Sequence, residues 1–434
     1  MRRGRLSVTQ FLGPGTEAGQ LREALRNVID PELGIDIVSL GLVYGLEAGV
    51  RMVTSTGPVG SVIPASGRTF PTIPRTRLPL FIAALVCLLA GLWGGLLLLG
   101  LPVPTLVATT AEDHGILMAL GFLGTVISIK RAVALGRPWA FAAPAFAGAG
   151  GVAILVSLPP MVGRLLLCAA SIVLVVVYVV VHRIQPALHL RVMAAGAVCW
   201  YVATLLWLMG WSLPRLVPWI AGFLILTIIG ERLELARVAF LTRTSVRQFL
   251  AGAVTFGVGL ILTTTATTGS TGVRLAGAGM IALAMWGFVH DVARRTVKIP
   301  GVTRFMAVCL LAGYVWLFIG GAIWLLAGNL GASVAIYDAA LHTVFLGFVM
   351  SMIFGHAPVI VPAVLRVRLP FRPWFYVHVG LLHASLLARV IEGDGLGSAL
   401  CWRVGGVGTE LAVLGFLAAS VIAVRQARRK GRSA

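Results

Sequence analysis

The sequence predicts an all-α polytopic membrane protein of about twelve transmembrane helices, with a short N-terminal α/β soluble fragment. Three observations predict this fold class. The chain of 434 residues is 58% hydrophobic and only 12% charged, whereas soluble domains carry about 25% charged residues. Its apolar residues form runs close to the ~20 residues that a membrane-spanning helix requires. The Lys and Arg residues lie between these runs, which is the distribution that sets membrane topology.

The N-terminal part differs from the rest of the chain in composition. Residues 21–29 carry apolar side chains at helical spacing, Asp30-Pro31 ends that helix, and the run DPELGIDIVSLGLVYGLE (30–47) adds a turn and β-branched residues. This run resembles the opening of the small metal–sulfur cluster assembly domain of the PaaD and SufT type. In that family a Gly-Cys-Pro loop follows, and its cysteine is the functional residue. Because no cysteine precedes Cys87 here, residues 1–52 are interpreted as a truncated domain, either a remnant or a regulatory module.

The remaining chain divides into three parts. Residues 53–77 are rich in Ser, Thr, Gly and Pro and lack periodicity, which predicts a flexible linker. A transmembrane domain is expected over residues 78–425, followed by a basic cytoplasmic tail at 426–434. The spans are expected approximately at residues 79–100, 113–131, 138–158, 161–181, 191–211, 216–234, 248–267, 273–292, 305–327, 334–355, 373–391 and 404–424.

The formal net charge of +20 follows this topology. With the N-terminus inside, all but five of the 35 Lys and Arg residues fall on the inner side. The five outer residues are Arg164, Arg215, Arg274, Arg389 and Arg403. The asymmetry predicts a multi-pass protein of the plasma (inner) membrane with both termini in the cytoplasm and the lipid bilayer as its main partner. It argues against nucleic acid as a partner, because the positive charge is not gathered on one folded face.

The tenth apolar segment carries two histidines, His342 and His356. They are separated by about 21 Å along a helix, so they cannot bind the same metal ion. Ionisable groups at such a depth indicate a function. The topology divides six histidines into an outer-to-middle set and an inner set, whereas His182 and His189 are expected in a solvated inner loop. The outer set is His114, His342 and His383, and the inner set is His290, His356 and His378.

Neutral imidazole is a good ligand for haem iron and for copper. Two facing helices with one histidine each could therefore hold a haem, expected to be of b-type, and copper is a second candidate cofactor. The alternative for any single histidine is a hydrogen bond to a neighbouring carbonyl group. The five cysteines lie singly in apolar segments without a CxxC pair, which excludes a zinc ribbon or a cysteine-held iron–sulfur cluster among them.

Few other polar residues fall within the predicted spans. Arg389 is expected to form an ion pair with Glu410 or, alternatively, to bind a haem propionate. Asp291 could orient the imidazole of the adjacent His290. The segment IIGERLELARV (228–238) carries acidic and basic residues at a spacing that favours pairing along one helix, which predicts a structural role.

Three stretches resemble the NnrS family of twelve-span membrane proteins. They are HGILMALGFLGTVISIKRAVALGRPW (114–139), LHTVFLGFVMSMIFGHAP (341–358) and HASLLARVIEGDG (383–395). Members of that family are described as haem- and copper-containing proteins linked to the response to nitric oxide. The resemblance implies ligand positions at His114, His342, His356 and His383, whereas His290 and His378 are candidates from depth alone.

Three functions remain open at this point. The first is an integral membrane haem or haem–copper protein in redox chemistry or nitrogen-oxide response, with an electron donor or a gas such as nitric oxide as partner. The second is a secondary transporter, because twelve spans with cytosolic termini are common among transporters. The third is a membrane-anchored fusion protein related to iron–sulfur assembly. Whether a reaction is catalysed is left open by all three.

Overall fold

The computed structural model describes residues 77–105, 110–236, 241–265, 267, 269–365, 367 and 369–432. Throughout these residues the regular secondary structure is helical, and no strand occurs among them. The expected α/β fragment at 1–52 and the linker at 53–77, apart from Arg77, lie outside the described residues.

Twelve helices in the described part of the chain are long and apolar enough to cross a membrane. Each overlaps one of the segments expected from the sequence, so the predicted count is confirmed. They are α1 Leu78–Leu98, α2 Ala111–Leu135, α3 Pro138–Leu155, α4 Pro160–Ile184, α5 Leu188–Leu208, α6 Leu213–Ala236, α7 Arg243–Leu262, α8 Gly269–His290, α9 Val302–Ala327, α10 Val334–Pro362, α11 Phe375–Gly395 and α12 Ala399–Arg429.

Local sequence signals explain several helix ends. The Ser333 side chain accepts a hydrogen bond from the backbone N–H of Ile336 at 3.1 Å and so caps the start of α10. Gly136 and Gly328 end α2 and α9 with φ of 67° and 66°, a left-handed conformation that glycine adopts without a steric penalty. These signals fix where the chain leaves each helix.

Small residues allow the central helices to approach closely. A Cβ atom added to Gly259 of α7 would lie 2.3 Å from the backbone nitrogen of Ala276 in α8. On its other side α8 meets α9, where a Cβ on Gly277 would lie 2.5 Å from the nitrogen of Leu325. Membrane helices associate through such van der Waals packing because lipid supplies no hydrophobic driving force between them. Glycine therefore determines the spacing of α7, α8 and α9.

Helix α10 occupies a central position in the bundle. It contacts α2, α6, α9 and α11. By contrast, large apolar side chains on other helices face outward, such as Leu165, Val254 and Ile261, which are 54%, 59% and 61% exposed. Outward apolar and inward polar side chains are the arrangement expected of a protein dissolved in lipid. The polar residues of α10 are thus inside the bundle.

Candidate functional site

A cavity of about 390 Å³ opens where α2, α10 and α12 begin and α1 and α11 end. Its walls are mainly apolar, and its polar side chains are contributed by α2, α10, α11 and α12. These are Glu112, His114, Tyr337, Asp338, His342, Arg389, Trp402, Thr409 and Glu410. Two predicted ligands, His114 and His342, therefore line the same space, as does Arg389.

Backbone hydrogen bonds determine the tautomer of both cavity histidines. Nδ1 of His114 lies 3.1 Å from the carbonyl oxygen of Ala111, and Nδ1 of His342 lies 2.8 Å from that of Asp338. A carbonyl oxygen only accepts, so each Nδ1 carries the proton and each Nε2 has a free lone pair. Among the described residues, neither Nε2 has a hydrogen-bond partner. This is the arrangement of a histidine that is ready to bind a metal through Nε2.

Asp338 connects His342 to Arg389. Its carboxylate accepts two hydrogen bonds of 2.7 Å from the Arg389 guanidinium and lies 3.2 Å from Nδ1 of His342. The indole N–H of Trp402 donates to the same carboxylate at 3.2 Å, and the guanidinium lies 5.3 Å from that indole ring. The expected pairing of Arg389 with Glu410 is therefore wrong. The partner is on α10, one helical turn before His342.

Glu410 is left without the expected ion pair. Its Oε2 is buried and has no hydrogen-bond partner in the described part of the chain. The carboxyl group packs against α1, where a Cβ on Gly95 would lie 2.5 Å from Oε1. An unpaired carboxyl group in an apolar cavity wall is costly to keep ionised. Glu410 therefore contributes a polar group to the cavity that His114 and His342 also line.

Three π-helical segments surround the cavity. Leu117–Leu123 follows His114 in α2, Thr343–Met350 directly follows His342 in α10, and Ala388–Gly395 contains Arg389 in α11. π-Helical turns are rare and occur frequently at functional sites. All three lie in helices that contribute polar side chains to this cavity, which supports its identification as the functional site.

The structure does not bring His383 into the cavity with His114 and His342. The indole N–H of Trp316 donates to Nδ1 of His383 at 3.0 Å, so the proton of the neutral ring is on Nε2. That nitrogen is buried and without a partner among the described residues. A histidine that binds a metal through Nε2 must carry its proton on Nδ1. This geometry therefore does not fit metal binding through Nε2 of His383.

His356 belongs to a separate buried network towards the other end of α10. Its Nδ1 donates to the carbonyl oxygen of Met352 at 2.6 Å, and its Nε2 lies 3.1 Å from Nη1 of Arg232. Since Nδ1 carries the proton, Nε2 accepts from the guanidinium. Both nitrogens are thus engaged, and the ring has no free lone pair for a metal in this arrangement.

Asp291 completes that network. It binds Arg232 through both carboxylate oxygens at 2.7 and 2.8 Å, and it accepts hydrogen bonds from Tyr314 and from the backbone N–H of Ala293. Burial raises the pKa of Asp291, but the charge of Arg232 and these hydrogen bonds outweigh that effect and lower the pKa below its ordinary value. The expectation that Asp291 orients His290 is wrong, because the Asp291 carboxylate accepts its hydrogen bonds from Arg232, Tyr314 and Ala293.

Charged residues near the end of α6 pair across helices. Glu231 accepts hydrogen bonds from Lys130 and Arg131 of α2. Its neighbour Arg232 pairs with Asp291 after α8, so adjacent residues connect α6 to two different parts of the bundle. The predicted pairing along the helix involves Arg237, which lies outside the described residues, and it stays a prediction.

The remaining histidines lie apart from the first cavity. His378 is buried among aromatic rings of α10, α11 and α12, and His290 lies beside Trp286 with 5.6 Å between the ring centroids. His189 was expected in a solvated loop, but it is buried and lies 3.5 Å from Glu234. That expectation is wrong because α5 begins at Leu188 and carries the ring into the bundle.

The described residues contain no group of three or more His, Cys, Asp or Glu side chains that could hold a metal ion. Copper bound by three such ligands therefore has no support in that part of the chain. Haem iron needs at most two protein ligands, so this finding does not bear on haem.

Sequence reasoning missed Asp338 and Trp402 as site residues. The signal for Asp338 was its position four residues before His342, since side chains at i and i+4 lie on one face of a helix. Trp402 lies near the start of α12, where tryptophan commonly anchors a helix at the membrane interface. Its contact with Asp338 depends on how α12 packs against α11, which no local pattern indicates.

Two families match the chain. Residues 77–425 match the family described as Domain of unknown function (DUF8744). Residues 19–49 match the family described as Iron-sulfur cluster assembly protein, which supports the predicted N-terminal fragment. No curated protein and no solved structure matches the chain. Neither family description names NnrS, and that resemblance stays a prediction.

Proposed function

The chain belongs to the family described as a domain of unknown function, DUF8744, and we propose that it is an integral membrane haem protein. His114 and His342 would hold the haem iron from α2 and α10. One observation carries the proposal: both rings line one cavity and donate Nδ1–H to the backbone of their own helix. The Nε2 lone pairs are then available for iron.

The lining of the cavity supports this proposal. The cavity volume of about 390 Å³ is within the range of roughly 300–1,000 Å³ that small-molecule sites occupy. Asp338 orients His342 and makes Nε2 a stronger ligand, while Arg389 balances the carboxylate charge. When bound by two histidines, haem supplies one-electron redox chemistry.

The proposal extends to nitrogen-oxide response of the NnrS type on the strength of the sequence resemblance. In that case His114 and His342 would hold the haem, and its iron would supply the site that binds nitric oxide. A shift of the absorption bands of the reduced protein on addition of nitric oxide would support this extension. Unchanged bands would restrict the protein to electron transfer.

The main test is spectroscopic. The full-length protein is purified from haem-replete cells, and its reduced-minus-oxidised spectrum and iron content are measured. We expect b-type haem bands in the wild type and their loss in His114→Ala and His342→Ala. His182→Ala is the matched control and should keep the wild-type spectrum. A wild-type protein without a Soret band would refute the proposal.

A proton-coupled transporter is the second candidate function. It is favoured by the buried Asp338–Arg389 pair and the unpaired Glu410 in one cavity, because ionisable residues within membrane spans mark ion pathways. Proteoliposomes containing a pH-sensitive dye would detect proton movement. Transport by a haem-free protein that Glu410→Gln abolishes would favour this function over haem binding.

The match of residues 19–49 favours a third function, in iron–sulfur assembly. The predicted truncation argues against it, since no cysteine precedes Cys87. Iron and acid-labile sulfide assays on the purified full-length chain distinguish it from haem binding: a cluster supplies sulfide, and haem does not.

We also propose that the protein lies in the plasma (inner) membrane with both termini in the cytoplasm. The distribution of Lys and Arg supports this orientation. Reporter fusions at the C-terminus and at the loop between α11 and α12 should report opposite sides.

A further inference from the structure

A second cavity, of about 500 Å³, lies between α11 and α12, towards the start of α11. It is an open groove, and its walls include the side chains of Val377, Leu381, Leu411 and Ile422, which are all exposed on the outside of the bundle. In a membrane this surface faces the hydrocarbon region. The groove is therefore accessible to lipid-soluble molecules.

His378 lies in the wall of this groove without any hydrogen bond among the described residues. Its ring is 4% exposed and is surrounded by Phe354, Phe375 and Phe416, with centroid distances of 4.9, 5.7 and 5.5 Å. Nε2 is enclosed by these rings, so Nδ1 is the nitrogen that remains accessible. Buried polar groups are usually hydrogen-bonded, and an unpaired one calls for an explanation.

We propose that the groove binds a membrane quinone whose carbonyl oxygen accepts a hydrogen bond from Nδ1–H of His378. The alkyl chain of the quinone would lie along the apolar walls of α11 and α12. None of the described residues that line the groove is charged, which favours an uncharged ring over a phosphate. Arg372 stacks on Trp374 at the edge of the groove, so phospholipid binding is one outcome of the test below. A quinone carries carbonyl acceptors on an uncharged ring and matches both the walls and the single unpaired imidazole.

Helix α12 contributes to both sites. Glu410 and Val413 line the first cavity, whereas Leu411 and Gly415 of the same helix line the groove. Quinone binding itself does not depend on haem in the first cavity.

Binding of an alkyl-substituted benzoquinone to the full-length protein in nanodiscs tests this inference, with the corresponding alkylbenzene as a probe that lacks the carbonyl oxygens. His378→Phe keeps a ring among the phenylalanines but removes the donor, and we expect about tenfold weaker quinone binding. Gly415→Leu fills the groove and should abolish binding. Gly380→Leu is the control, because a side chain there meets nothing within 4 Å.

Equal binding of the quinone and the alkylbenzene, or wild-type affinity in His378→Phe, would overturn the inference. Displacement of the quinone by phospholipid at the same affinity in wild type and His378→Phe would identify a lipid groove instead. Haem content is measured on the same preparations. Quinone binding without haem would leave this inference intact and refute the proposed function. Haem binding without quinone binding would refute this inference and leave the proposed function intact.

Discussion

Asp338 binds the guanidinium of Arg389 through both carboxylate oxygens, each 2.7 Å from a nitrogen. The pair joins α10 to α11, and both residues are 8% exposed. Since the same carboxylate lies beside Nδ1 of His342, one ion pair fixes both the helix contact and the orientation of a proposed ligand. Its removal should therefore affect stability and cofactor binding together.

Asp338→Asn is expected to destabilise the protein by about 3–5 kcal/mol, because it leaves the Arg389 charge buried without a counter-ion. Thermal unfolding in detergent measures the loss, and the haem spectrum should broaden or weaken in parallel. Glu392→Gln on the exposed surface of α11 is the control, with a change within about 0.5 kcal/mol. If Asp338→Asn is as stable as the control, the ion pair contributes little.

The tautomers of the histidines predict which variants can be rescued. If haem binds as proposed, free imidazole should restore haem bands to His114→Ala and His342→Ala, because each variant would leave space for a small ligand in place of the missing ring. His383→Ala should retain its haem without imidazole, since Trp316 holds that ring in the other tautomer. Loss of haem in His383→Ala with retention in His342→Ala would contradict the assignment.

The lowered pKa of Asp291 predicts that the folded protein loses stability at acid pH. An aspartate whose folded-state pKa is depressed stabilises the fold above its unfolded pKa of about 3.9, and this contribution is lost as the pH falls through the folded value. The unfolding temperature of the wild type should therefore fall at acid pH. Asp291→Asn should be less stable at neutral pH, and its unfolding temperature should fall less than that of the wild type as the pH is lowered. Tyr314→Phe should lower the free energy of unfolding by about 1 kcal/mol.

The contact between α7 and α8 provides a matched pair of glycine variants. Gly259→Ala places a Cβ atom 2.3 Å from the nitrogen of Ala276, whereas Gly257→Ala on the same helix meets nothing within 4 Å. We expect Gly259→Ala to lower stability by about 1–3 kcal/mol through overpacking. Gly257→Ala should be neutral or slightly stabilising. Thermal unfolding of both variants distinguishes helix packing from a general effect of helix propensity.

Hydropathy and charge predict the membrane helices well, because each span must be apolar over a fixed length. The pairing of buried polar residues is less predictable. Arg389 pairs with Asp338 of α10 and not with Glu410 of α12. Arg232 of α6 pairs with Asp291, which follows α8. These choices depend on helix rotation and on which helices meet. Depth alone likewise grouped His383 with His114 and His342, although a hydrogen bond from Trp316 gives it a different tautomer.

The π-helical segment Thr343–Met350 means that the two ends of α10 are not in the register of one continuous α-helix. A π-helical turn holds more residues than an α-helical turn. Insertion of one residue between Ser351 and His356, where the helix is α-helical, would turn His356 and all that follows by about 100° relative to His342. His356 would then leave Arg232 while the hydropathy of the span stayed almost unchanged. The number of residues between the two histidines, as well as their identity, determines which network each end of α10 joins.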